Sequence, residues 1–291
     1  MDLHYRVVDV FTKTALEGNP LAVFPDARGL DDQLMQRIAR EPNLSETSFV
    51  FPTQRGDCIA DVRIFTPSME MPFAGHPTVG TAFVLWQDGY PGTESRAFNF
   101  EERVGPIPVH IDDGDDPLVW LTTPSISSGR TVTQEAAARA IGLSEGDLIA
   151  DVPSQLLTAG NPNIYIAVRD KAAVDRAWVD TSTVRNVNDE DEATCIFVFT
   201  PTPEGAYSRM FAPEVGVIED PATGSATGPL ALFMMTHGLA PSNDGATFIS
   251  EQGTKMGRRS FLHVRIRGEK GRDGIDVGGN VRALVSATMT L

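Results

Sequence analysis

Residues 63–86 read RIFTPSMEMPFAGHPTVGTAFVLW, and residues 209–235 read RMFAPEVGVIEDPATGSATGPLALFMM. Both open on Arg-x-Phe-x-Pro, and both run through a Gly-rich turn into an apolar helix. The motif at Arg63 returns 146 residues later at Arg209. A second motif recurs in the same order. Gly18-Asn19-Pro20, ahead of the strand-like stretch 21–24, returns 142 residues on as Gly160-Asn161-Pro162 ahead of 163–166. Two different motifs repeated at nearly one displacement identify a duplicated structural unit, each copy about half the chain.

Local patterning supplies the rest of the fold expectation. Strands are expected over 6–10, 21–24, 48–51, 60–65, 118–122, 164–168, 195–200, 208–211 and 261–267, which are rich in β-branched and aromatic residues. A helix is expected over 31–41. Asp31 or Asp32 can cap it, Leu34, Met35, Ile38 and Ala39 form its apolar face, and Pro42 stops it. The stretch 133–141, ended by Gly142, reads as the second copy of that helix. The most polar and turn-rich join is TPSISSGRTVTQ (123–134), so the halves are taken as 1–125 and 126–291. The closing IDVGGNVRALVSATMTL reads as two short strands around Gly278-Gly279, with the last strand free to return to the first half. The mixture is an α+β fold. A duplicated α+β unit is expected to bring equivalent loops of its halves face to face across a cleft, a preferred place for ligands.

Composition narrows the function. A chain of 291 residues with 41% hydrophobic content can bury a large core. No apolar run approaches the roughly 20 residues of a membrane span, and the N-terminus MDLHYRVVDVF lacks a signal-peptide pattern, so a cytoplasmic protein is expected. A formal charge of −15 argues against nucleic-acid and anionic-membrane partners, because phosphate is repelled. Cys58 and Cys195 are far apart in strand-like settings and read as small packing residues. The five His show no metal-ligand spacing, and the chain has no dinucleotide or P-loop fingerprint and no nucleophile elbow. The expectation is a site without metal or cofactor.

Three stretches could carry chemistry. In Gly75-His76-Pro77-Thr78, Pro77 suits a helix start, and the N–H groups of the turn, with the helix dipole behind them, suit a carboxylate or an enolate. The plainer reading makes His76 a helix cap. Glu219-Asp220-Pro221-Ala222-Thr223-Gly224-Ser225 offers an equivalent turn, with Ser225 in the place of His76 when Gly224 is laid on Gly75. Its plainer reading is capping charge. In Asn43-Leu44-Ser45-Glu46-Thr47, a Glu entering an apolar strand suits a general base, since partial burial raises its pKa, although an exposed loop Glu would look the same.

The stretches DVFTKTALEGNPLAVF, REPNLSETSFVF, RIFTPSMEMPFAGHPTVGTAFVL and RMFAPEVGVIEDPATGSATGPLALFM, with a weaker SEQGTKMGRRS, resemble the phenazine-biosynthesis PhzF family, relatives of diaminopimelate epimerase. The resemblance spans nearly the whole chain. It implies two pseudo-symmetric domains, each a β-sheet or partial barrel wrapped around a central helix, with the site between them. It implies an isomerase that needs no cofactor and acts on a small carboxylate such as a hydroxy-dihydroanthranilate. By the same resemblance Glu46 moves the proton. His76 and Gly75, with Asp220, Gly224 and Ser225, hold and polarise the substrate, and Ser45 assists. The family lacks the paired catalytic cysteines of the epimerases, and neither turn here contains Cys. Two other readings stand beside this one: a non-catalytic binding or interaction scaffold of the same fold, and an amino-acid epimerase that uses Asp220 as a second base. Dimerisation fits such folds, although no stretch of the sequence marks an interface.

Overall fold

The computed structural model of the protein describes residues 1–184, 187 and 195–291. The chain forms two compact units, Met1–Pro124 with Val277–Leu291, and Ser125–Asp276. The first unit contains β1 (Asp2–Val10), β2 (Asn19–Phe24), α1 (Asp32–Arg40), β3 (Glu46–Phe51), β4 (Ala60–Phe65), β5 (Glu70–Met71), α2 (Gly75–Gln87), β6 (Ala97–Glu102), β7 (Gly105–Ile111) and β8 (Val119–Thr122). The second contains β9 (Ser127–Val132), α3 (Gln134–Ala140), β10 (Ser154–Thr158), β11 (Pro162–Ala167), α4 (Lys171–Arg176), α5 (Thr181–Val184), β12 (Cys195–Thr202), β13 (Gly205–Ala212), β14 (Val217–Asp220), α6 (Gly224–Thr236), β15 (Thr247–Gln252) and β16 (Ser260–Arg267). The chain then returns through β17 (Gly274–Gly279) to β18 (Val281–Thr290) in the first unit.

The two units repeat one topology. In the first, the strands run β18-β1-β2-β3-β4-β6-β7-β8, antiparallel except for the parallel pairs β2–β3 and β4–β6, and β5 folds back on β4. In the second they run β9-β10-β11-β12-β13-β15-β16, parallel only at β11–β12 and β13–β15, and β14 folds back on β13. Each sheet wraps one central helix. All residues of α2 from Gly75 to Leu85 are buried, and α6 is nearly as deeply enclosed. These helices are apolar on every side and carry no charged residue, which makes full enclosure the stable solution. Gly80 lets α2 approach the sheet: a Cβ there would stand 2.6 Å from Leu21 Cδ2 and 2.8 Å from Val10 Cγ2.

Outer helices cover the opposite sheet faces. Met35, Ile38 and Ala39 of α1 join Ala22, Phe24, Phe49 and Phe65, while α3 and α4 cover β11 and β12 of the second unit. The central strands are therefore buried on both sides, which is why they read as continuous apolar runs such as LAVF and IFVF. Asp31 caps α1 as expected, its Oδ1 accepting from the Leu34 N–H at 2.8 Å. The aromatic Tyr165 stacks on Phe233 of α6 and donates its hydroxyl to Ala226 O at 2.7 Å, so the one polar atom of that ring is satisfied.

Three expectations are corrected. The helix at 133–141 forms as α3, but between β9 and β10. The place equivalent to α1, between the two parallel strands, is taken by α4 and α5. A helix pattern records which face is apolar and carries no information on which gap of the sheet the helix fills. The closing strand β18 is ten residues long and pairs with β1 along its length. Several strands, among them β6, β7, β9, β10 and β15, escaped the sequence reading because polar residues alternate along them or dominate them. Among the described residues, no helix is long and apolar enough to cross a membrane.

Candidate active site

The loop from α1 to β3 places Glu46. Helix α1 ends before Pro42, Asn43 adopts a left-handed backbone (φ 51°), and Leu44 packs against the outer core. Asn tolerates that conformation better than most residues, so the NLSET stretch has a local reason for its turn. Ser45 and Glu46 follow, with Glu46 opening β3 opposite Leu21 of β2. The preceding connection delivers Asn19. Gly18 has φ 69°, and a Cβ there would meet Val10 O at 2.3 Å, so only Gly fits.

Helix α2 starts at Gly75, with Ala74 at the N-cap and no side chain capping it. His76 is thus the second residue of the helix and Pro77 the third, two positions further in than a helix with His76 as its cap and Pro77 as its first residue. Pro77 is still tolerated, because the N–H it lacks has no intrahelical partner in the first turn.

These elements bring Ser45, Asn19, His76 and Glu46 into one line. Ser45 Oγ donates to Asn19 Oδ1 at 2.8 Å. Asn19 Nδ2 lies 3.3 Å from His76 Nδ1. With the amide so oriented, Nδ1 must accept, and a neutral ring carries its hydrogen on Nε2. His76 Nε2 stands 3.5 Å from Glu46 Oε2. His76 is 3% exposed, and burial pushes its pKa down to about 3, so the ring is neutral at physiological pH. Glu46 keeps a partly exposed side chain. A neutral imidazole N–H beside a carboxylate, at an uncapped helix N-terminus, can polarise an oxygen while the carboxylate moves a proton.

The second unit has its own cluster. Asn161 Nδ2 lies 3.5 Å from Ser225 Oγ, repeating the Asn19–His76 contact with Ser225 in the place of His76. Asp220 is buried at the end of β14, where its Oδ2 accepts from Thr223 Oγ1 at 2.5 Å. Gln252 donates to Asp220 O at 2.7 Å and accepts from the Thr223 N–H. Helix α6 begins at Gly224 without a side-chain cap. The neighbouring Glu219 has a structural task, since both its oxygens accept from Arg209 at 2.8 Å.

Glu46, His76, Gly75 and Ser45 therefore meet within the first unit, while Asp220, Gly224 and Ser225 share the turn in the second. Asn19 escaped the sequence reading as a site residue. Its signal was present, because it is the middle residue of the repeated Gly-Asn-Pro. Among the described residues, no group of three or more His, Cys, Asp and Glu is placed to hold a metal ion.

The family described as phenazine biosynthesis-like protein matches residues 8–286. The trans-2,3-dihydro-3-hydroxyanthranilate isomerase of Pseudomonas aeruginosa is 35% identical over 280 residues, covering 95% of each chain. An uncharacterized isomerase of Clostridium acetobutylicum is 30% identical over 294 residues, covering 98% of this chain and 97% of the relative. The crystal structure of a phenazine biosynthesis protein of the PhzF family from Bacillus anthracis superposes with a TM-score of 0.89 at 25% identity, over 100% of both chains.

Proposed function

The chain belongs to the phenazine biosynthesis-like PhzF family and is an isomerase; from that premise we propose that Glu46 is its general base and that the substrate is a small cyclic hydroxy-amino acid resembling a dihydroanthranilate. The observation that supports this most is the chain Ser45–Asn19–His76, which ends 3.5 Å from the Glu46 carboxylate beside the open first turn of α2. In this reading Glu46 takes a proton from one ring carbon and returns it to another carbon of the same π system. The double bond migrates as the proton moves, so no electrons are gained or lost and no co-reactant is consumed. The neutral His76 donates through Nε2–H to a substrate oxygen, and the N–H groups of Gly75 and His76 favour the developing negative charge. His76 does not serve as the base, because a ring with a pKa near 3 holds a proton too weakly to remove one from carbon.

The duplication in the sequence is the ground for assigning Asp220, Gly224 and Ser225 to the binding of the same substrate. The test is proton exchange. Purified protein incubated in D2O with trans-2,3-dihydro-3-hydroxyanthranilate and related cyclic hydroxy-amino acids is expected to introduce deuterium at carbon, followed by NMR. Glu46→Gln keeps the shape and removes the base, and is expected to slow uptake by about 10²–10⁴-fold. Uptake undiminished in Glu46→Gln would remove Glu46 from the mechanism.

A further inference from the structure

The last residue of β6, Glu102, is 4% exposed and lies at the first turn of α2. Thr78 Oγ1 stands 2.7 Å from Glu102 Oε1 and 2.8 Å from Ala74 O. A threonine hydroxyl has one hydrogen and two acceptors here. The second copy shows where that hydrogen goes: Thr227, the equivalent residue of α6, donates to Thr223 O at 3.0 Å, the carbonyl four residues back. If Thr78 donates to Ala74 O in the same way, the bond to Glu102 requires a proton on the carboxyl group. Glu102 Oε2 is buried and has no partner among the described residues, a costly place for a carboxylate and a tolerable one for an acid.

The duplication supplies an independent observation. Strand β6 pairs in parallel with β4, Asp61 opposite Glu101, and β15 pairs in parallel with β13, Tyr207 opposite Glu251. The residue that follows in each case, and ends its strand, is Glu102 in one unit and Gln252 in the other. Gln252 is fully buried, and its amide holds the turn before α6 through Asp220 O, Thr223 N and Thr223 Oγ1. A protonated Glu has nearly the shape of Gln and, like it, one donor and one acceptor edge.

We propose that Glu102 is a neutral acid that does for the first turn of α2 what the Gln252 amide does for the turn before α6, and that it is thereby a positioning residue for His76. The surroundings agree in sign. Burial, with the negative charge of Asp61 on β4, pushes the Glu102 pKa up to about 8 against the pull of the Thr78 bond. On α2 the nearest titratable group, His76, is neutral. On β7 the residue opposite is Gly105, which has no charge. In the chain itself Glu101 accepts from the Thr53 hydroxyl, and Arg103 is paired with Glu70. No cation is therefore turned toward Glu102 from these elements to favour its ionised form.

This deepens the isomerase reading, since His76 is the residue the turn presents. Its test reads the His76 ring directly, so its failure is distinct from a failure of deuterium uptake. Wild type, Glu102→Gln and Glu102→Ala are compared from pH 5 to 10 by NMR of the labelled His76 ring and by melting temperature. The wild-type ring signals are expected to move with one midpoint near pH 8, and those of Glu102→Gln to stay level through that range. A folded pKa above the unfolded value stabilises below the unfolded pKa and loses that contribution as pH rises through the folded one. The melting temperature of wild type is thus expected to fall behind that of Glu102→Gln from pH 5 to about 8 and then run parallel to it. Glu102→Ala, lacking the bond, is expected to melt below Glu102→Gln at every pH. Parallel His76 signals in wild type and Glu102→Gln, or a Glu102→Gln that melts as low as Glu102→Ala, would overturn the proposal.

Discussion

At neutral pH His76 carries no positive charge. Its ring is enclosed, Nδ1 is committed to Asn19, and the remaining N–H points toward Glu46. Desolvation holds its pKa near 3, against 6.5 for an open imidazole. The folded state therefore binds fewer protons than the unfolded chain between those values. Stability that is complete above pH 6.5 is lost as pH falls toward 3, on the order of 1 kcal/mol per pH unit. A His76→Gln variant cannot titrate and is expected to show a flatter stability profile between about pH 3 and 6.5, measurable by urea unfolding at fixed pH. An unchanged acid slope would mean that the ring is open to water. The pattern G-H-P-T by itself suits a cap, a ligand or a catalytic group equally, because burial of the ring is set by strands outside that segment.

At the scale of elements, α2 is the piece on which the rest depends. It carries His76 at one end, is apolar all round, and lies against β1 and β2 with Gly80 at the closest approach. In an exposed helix Gly→Ala stabilises by up to about 1 kcal/mol. Here the added methyl would overlap Leu21 and Val10, and overpacking costs about 1–3 kcal/mol. Gly80→Ala is expected to lower stability by roughly 1–2 kcal/mol in chemical denaturation. A stabilised variant would show that the helix can move off the sheet. The helical character of this segment and the turn before it were legible as an apolar run preceded by Gly and Pro. The strands beside it that alternate polar residues, such as β6 and β15, were not, because period-two patterning is weak where short strands also carry site and turn residues. Glu102 and Gln252, which end those two strands, went unseen for that reason.

Across the whole molecule, the duplication extends to side-chain detail. Arg63 pairs with Glu70 and lies over Phe65, and Arg209 pairs with Glu219 and lies over Phe211. The two copies differ in depth. Arg63 has a side chain 16% exposed and also meets the exposed Asp32, whereas Arg209 is 7% exposed and donates to Val174 O and Ala177 O. Removing one member of a buried pair strands the other charge, at about 3–5 kcal/mol, while a partly exposed pair contributes far less. Arg209→Met is expected to destabilise by several kcal/mol and Arg63→Met by about 1 kcal/mol or less, read from denaturant midpoints. Equal losses would contradict the difference in burial.

The amino-acid sequence by itself determined the two-copy architecture, the two Gly-rich helix starts and the NLSET turn, because each is written in adjacent residues whose conformational preferences are local. Tertiary structure decided the rest. It placed α4 and α5, not α3, in the position of α1, returned β18 to pair with β1, and set Asn19 between Ser45 and His76. It also removed water from His76 and Glu102, moving one pKa down and the other up. Hydrogen-bond partners 26 and 57 residues apart, and the desolvation of a ring or a carboxyl, arise only when distant strands close around the same helix.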